Sequence, residues 1–135
     1  MKSIADIIKN FDKQNFHHYY LSGDDIFLEK FFTNQIQKKF LNQNELKLMY
    51  HLSVDDEDLF LRELHTNSLF DDKKLIVCWE INKLSKKAQN ELITFIEMNP
   101  SRDICLIVIS PDFRIKNKFI TSLSSKLTNV DIRTP

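Results

Sequence analysis

Apolar residues fall along this chain in two alternating rhythms. Short unbroken runs, Leu75-Ile76-Val77-Cys78-Trp79 and Ile104-Cys105-Leu106-Ile107-Val108-Ile109, alternate with stretches in which apolar residues recur every three or four positions. An unbroken run bounded by charge reads as a strand buried on both faces, and the run at 75–79 as the central strand of a parallel sheet. The wider spacing reads as the buried stripe of an amphipathic helix.

In chain order, Ile4, Ile7, Ile8 and Phe11 predict a helix within 2–13, with Ser3 as N-cap and Asp6 at the third helical position. His18 to Leu21 predicts a first strand, ending in Ser22-Gly23-Asp24-Asp25. Leu28, Phe31, Phe32, Ile36 and Phe40 then share one helical face, capped by Asp24 or Asp25. Lys47 to Leu52 predicts a second strand, and Ser53, with Asp56 three residues on, the cap of a helix bearing Leu59, Phe60, Leu61 and Leu64. After the run at 75–79, Ser85 caps a helix with Ala88, Leu92, Phe95 and Ile96, which stops at Asn99-Pro100. After the run at 104–109, Ser110-Pro111-Asp112 turns into a helix with Ile115, Phe119, Leu123 and Leu127, and Asn129 to Ile132 predicts a last strand. Strand and helix alternating in this way imply an α/β fold: a parallel five-stranded sheet with helices on both faces.

The chain has 135 residues, matching one domain over 1–135, and its 42% hydrophobic content is enough for a core. Lys+Arg and Asp+Glu are each 19, so no generic electrostatic grip on nucleic acid is indicated. No apolar run is long enough to span a bilayer and the N-terminus lacks a signal peptide's apolar core, so no membrane partner and a cytoplasmic location are expected. The charge is patterned locally. Residues 55–72 hold seven acids against Arg62, a net of −6, and residues 73–87 hold five lysines against Glu80, a net of +4. Such blocks read first as solvated helix faces, with a phosphate-facing surface as the functional alternative.

The first strand–turn–helix is where a doubly wound fold holds phosphate. Here the turn is Ser22-Gly23-Asp24-Asp25, with the chain's one glycine and no lysine before Lys30. Backbone amides could not cradle a triphosphate beside two carboxylates, so no nucleotide and no other cofactor is expected. Asp24 and Asp25 also resemble the Mg²⁺-binding pair of a phospho-receiver domain. That domain needs an aspartate after its third strand, where this chain has Trp79-Glu80, so helix capping is the simpler reading. His17, His18, His51 and His65 show no ligand spacing and read as surface or strand-edge residues. Cys78 and Cys105 read as small buried hydrophobes, and no catalytic or metal-binding set is found.

The connector before the 75–79 run is the outlier. Ser68-Leu69-Phe70 stands between Asn67 and Asp71-Asp72, and neither a helical nor a strand period claims Leu69 or Phe70. Either they tuck under the sheet, as a hydrophobic contact past a helix end commonly does, or they project for a partner to bury. Polar Asn67, Ser68, Asp71 and Asp72 would frame them as a rim frames a hot spot.

Three segments, YYLSGDDIFLEKFF, NSLFDDKKLIVCWEINKLSKKAQNELITFIE and CLIVI followed by SPDFRIKNKF, together resemble the N-terminal domain of the clamp-loader delta subunit of bacterial DNA polymerase III, over most of 19–119. The resemblance implies an AAA+-like (RecA-type) domain with a degenerate nucleotide site, no ATPase activity and no active site. It also implies binding and opening of the sliding clamp (the beta subunit) through Leu69 and Phe70, with Ser68 beside them and Asn67 and Asp71 in support. Other clamp-loader subunits, and primed DNA through the assembled loader, are the further partners implied, and lid and collar domains would lie outside this sequence. The delta-prime type of subunit is the nearest alternative. It carries a four-cysteine zinc module and a Ser-Arg-Cys element, whereas this chain has two cysteines in all and Ser125-Lys126-Leu127 in that place.

Overall fold

The computed structural model describes residues 3–42, 45–66, 73–98, 103–111 and 116–134. Within them the elements run α1 (Ile4–Lys9), β1 (Tyr19–Ser22), α2 (Ile26–Phe40), β2 (Leu46–His51), α3 (Glu57–His65), β3 (Lys74–Trp79), a short 3-10 turn (Ile81–Lys83), α4 (Lys86–Met98), β4 (Ile104–Ser110), α5 (Lys118–Lys126) and β5 (Thr128–Asp131). The strands form one five-stranded sheet in the order β2-β3-β4-β1-β5. Every neighbouring pair is parallel.

The middle strand is therefore β4, not β3. All seven residues of β4 are buried, whereas Trp79 at the end of β3 is only partly covered. A buried run shows that a strand is interior but not where it ranks, because order in a parallel sheet is set by crossovers distant in sequence.

Alternate residues of the inner strands feed two cores. Ile76, Cys78, Leu106 and Val108 pack with Phe60, Leu61, Leu64, Leu92, Phe95 and Leu123, under α3, α4 and α5. Leu75, Val77, Cys105, Ile107 and Ile109 pack with Ile7, Phe32, Ile36 and Phe40, under α1 and α2. The period of two in the strands thus divides one continuous apolar run between opposite helical layers. Cys78 and Cys105 are both buried and free.

Caps account for most helix starts. Ser3 accepts from the Asp6 amide, Asp25 from Leu28, and Ser85 from Ala88. The expected cap at Ser53 is not one. Asp56 caps α3 by accepting from Asp58, and Ser53 lies in a turn in which its amide donates to the Glu80 carboxylate. The turn wins because the Val54 and Asp55 amides both return to the His51 carbonyl, delaying the helix. Phe31 and Leu59 also depart from the expected buried faces. Both are exposed, and Phe31 stacks on Phe27 with ring centroids 6.3 Å apart, forming an outer stripe of α2 beside the buried stripe of Phe32, Ile36 and Phe40. In α5, Asn117 is the cap and Ile120 joins Leu123 in the core, while Ile115 lies outside the described residues. Asn99 and Pro100 also lie outside them, just beyond the end of α4 at Met98.

His18 is not a surface histidine. Its Nδ1 accepts from the Leu106 amide at 3.0 Å, standing in for a strand carbonyl at the start of β1. Burial, and secondarily the neighbouring His17, pushes its pKa down from 6.5 to about 4. The fold therefore needs the neutral ring. Between those two values the unfolded chain binds the extra proton, so stability is fully present above about 6.5 and is lost as pH falls towards 4. The loss should approach ~3 kcal/mol at most. Urea unfolding at pH 7 and pH 5 should show it, and His18→Asn, which keeps an acceptor but not the titration, should flatten that slope. An unchanged slope in the variant would exclude His18 as the source.

Candidate functional site

Asn67, Ser68, Leu69, Phe70 and Asp71 lie outside the described residues, so the structure presents the two ends that carry them. The leading end is the C-terminus of α3, whose Phe60, Leu61 and Leu64 are buried in the core that α4 also covers. The His65 ring meets the Phe95 ring edge-on at 6.0 Å, and the Thr66 hydroxyl donates to the Arg62 carbonyl at 2.7 Å. The trailing end is Lys73 and Lys74. The Lys73 amide donates to the Glu45 carboxylate, and its ammonium lies 5.2 Å from the centre of the Phe40 ring.

Lys74 is buried, which its place in a basic block did not suggest. Its Nζ donates to the Glu63 carbonyl at 3.0 Å, the Glu63 carboxylate at 3.0 Å and the Thr66 carbonyl at 2.8 Å. A lysine in the first position of a strand thus closes the last turn of the preceding helix, where carbonyls lack helical partners. Its acceptors lie eight and eleven positions away, beyond any local spacing rule.

The β1–α2 turn is at the opposite, C-terminal edge of the sheet. Three of the backbone donors here are engaged within the protein. The Gly23 amide donates to Ser110 O at 3.1 Å, the Asp25 amide to Ile132 O at 2.9 Å, and the Leu28 amide to the Asp25 carboxylate at 3.1 Å. Asp24 accepts from both the amide and the hydroxyl of Thr134, at 2.9 and 3.0 Å. Those bonds hold its carboxyl below the usual carboxylate range. The chain leaving β5 therefore lies against the turn where a P-loop would present its amides to phosphate.

Carboxylates elsewhere on this edge also hold the protein's own chain. The Trp79 indole donates to Glu29 at 3.0 Å while His51 stacks on the indole at 4.4 Å, nearly parallel. Glu80, at φ 64, is in the left-handed region, and its side chain takes the Ser53 amide. Asp24 and Asp25 thus act as capping and strapping groups. Among the described residues, no cluster of three or more metal-ligating side chains occurs. A cavity of about 640 Å³ opens under α1 among Asp6, Phe11, Phe16 and Tyr19, at the N-terminal end of β1.

Comparison with known proteins decides the family. The model of the DNA polymerase III delta subunit matches residues 19–133. The chain belongs to that family. No curated protein matches the sequence. Among solved structures, the Bacillus subtilis DNA clamp loader delta protein is similar at 14% identity and a TM-score of 0.76, covering 98% of this chain and 42% of that one. NtrX from Brucella abortus, in complex with ADP, is similar at 10% identity and a TM-score of 0.63, covering 97% and 35%. Thermotoga maritima RuvB is similar at 13% identity and a TM-score of 0.57, covering 96% and 41%. This delta-family chain thus spans less than half the length of the clamp-loader delta protein it matches. Its fold is AAA+-like. Among the described residues, no helix is long and apolar enough to cross a membrane.

Proposed function

We propose that this chain is the clamp-binding domain of a clamp-loader delta subunit. It takes the ring-shaped sliding clamp through Leu69 and Phe70, with Ser68 beside them and Asn67 and Asp71 in support, and helps open the ring for loading onto primed DNA. Residues 1–135 act as one domain of a larger cytoplasmic subunit that assembles with the other loader subunits. Membership of the delta family over residues 19–133 carries this reading. Thr66 and Lys74, which flank the stretch carrying these residues, are held together by the bond from the Lys74 ammonium to the Thr66 carbonyl at 2.8 Å.

The domain is also read as non-catalytic, without ATP turnover of its own. The β1–α2 turn supports this, with the Gly23, Asp25 and Leu28 amides engaged and Asp24 and Asp25 beside them. A triphosphate there would have to displace the chain at Ile132–Thr134 and face two carboxylates. Calorimetric titration with Mg-ATP should show no heat beyond dilution, and saturable micromolar binding would refute this part. Immobilised sliding clamp should retain the chain from a purified mixture, and failure to retain it would refute the clamp-binding part.

A further inference from the structure

We propose that the cavity under α1 is a binding site for an organic cation with an apolar body and a hydrogen-bonding group at its buried end. That is the chemistry of a hydroxylated aromatic amine, free or at the end of a peptide. All the lining residues except Tyr19 and Thr128 precede the stretch 19–133 that the delta family model matches, so the site is separate from the clamp-binding reading.

The covered part of the lining is apolar. Ile7 and Tyr19 are buried, and Phe11 and Phe16 are half-buried, their rings stacked with centroids 6.1 Å apart. The exposed part carries two carboxylates, Asp6 and Asp12. One oxygen of Asp12 takes the Gln14 amide at 2.9 Å. Among the described residues neither carboxylate has an ion-pair partner, and no lysine or arginine lines the cavity. A volume of about 640 Å³ suits a small organic molecule. Two carboxylates at the mouth of an apolar cleft repel anions and favour a cation, and aromatic faces beside them strengthen that preference.

Tyr19 adds an independent observation. It is 4% exposed, its ring meets the Phe32 ring edge-on at 5.2 Å, and its hydroxyl has no hydrogen-bond partner among the described residues. Tyr20, on the other face of the sheet, is by contrast bonded to Ser110. A buried hydroxyl without a partner costs stability that phenylalanine would not. Burial pushes the Tyr19 pKa up, so the group stays a neutral donor and acceptor for whatever enters. A charged nitrogen at the mouth and a polar atom at the covered end together define the ligand.

The test is an NMR titration of the full chain, with thermal unfolding measured on each variant. Tyramine carries both groups, phenethylamine lacks the phenol oxygen, and para-ethylphenol lacks the ammonium. Tyramine should bind saturably with a dissociation constant of about 1 mM, and each of the other two about fivefold more weakly. Tyr19→Phe should weaken tyramine about fivefold and leave phenethylamine unchanged, because each change removes the same bond. Asp6→Asn with Asp12→Asn should weaken tyramine about tenfold and leave para-ethylphenol unchanged. Without ligand, Tyr19→Phe should melt no lower than the native chain. The peptide Tyr-Gly-Gly presents the same two groups on a chain: tighter binding than tyramine assigns the site to a peptide end, and weaker binding to a free amine. No saturation at about 20 mM tyramine, equal binding of the three probes, or losses at Tyr19 and at the ligand hydroxyl that multiply would overturn the proposal. A Tyr19→Phe variant that melts well below the native chain would overturn it as well, since the hydroxyl would then be bonded within the fold.

Discussion

The double variant Leu69→Ala, Phe70→Ala should lose about three orders of magnitude in affinity for the sliding clamp while keeping its melting temperature. Burying each of these side chains in a partner is worth roughly 1.5–3 kcal/mol, and ~4 kcal/mol together corresponds to about a thousandfold in the dissociation constant. Truncations at the centre of a small apolar hot spot carry effects of this size, whereas truncations in its polar rim carry little. Asn67→Ala and Asp71→Ala should accordingly change affinity by far less. The competing reading, in which the pair is a hydrophobic contact beyond the end of α3, makes the opposite prediction. Two large-to-small changes in a core would destabilise folding by several kcal/mol. Thermal unfolding and clamp binding on the same preparation separate the two. A strongly destabilised variant, or a stable one with native affinity, removes Leu69 and Phe70 from the interface.

Gly23→Ala should be among the most destabilising single changes available in the chain, at more than ~3 kcal/mol. Gly23 has φ +143, which L-residues rarely adopt. An added Cβ would fall 2.3 Å from the Arg133 nitrogen and 2.3 Å from the Ile132 carbonyl carbon. Both are backbone atoms, so no rotamer change relieves the clash. Relief requires moving the chain beyond β5, which breaks the bonds from the Asp25 amide to Ile132 O and from Thr134 to Asp24. The glycine therefore serves a close crossing of two backbones instead of a phosphate loop. Chemical denaturation should show a large fall in the midpoint. A midpoint within experimental error of the native one would mean that the crossing at Ile132–Arg133 is not tight.

What the sequence made legible was local. The buried runs that became β3 and β4, the stripe of Phe32, Ile36 and Phe40, and the caps at Ser3, Asp25 and Ser85 each depend on residues within a few positions of one another. What escaped depends on distant partners. Ser53 satisfies its cap pattern, but Glu80 takes its amide from 27 positions away, and Asp56 caps the helix instead. His18 carries no motif, because its partner Leu106 is 88 positions distant. Lys74 sits in a run of charge that looks solvated until Glu63 and Thr66 fold back on it. The rank of β4 as the middle strand is likewise a property of the crossovers, not of its own residues. The closed β1–α2 turn was half legible. Its single glycine and paired aspartates argued against phosphate binding, but not that the chain after β5 occupies the turn. At the Leu-Phe pair, local pattern leaves two readings open, and the family resemblance, helped by the polar neighbours Asn67, Ser68, Asp71 and Asp72, favours exposure.

This chain should engage a sliding clamp without help from nucleotide. Titrating purified clamp with the native chain, in matched runs with and without Mg-ATP, tests it most directly. Binding should be saturable, with superimposable isotherms. No binding at tens of micromolar clamp, or binding that appears only with Mg-ATP, would contradict it.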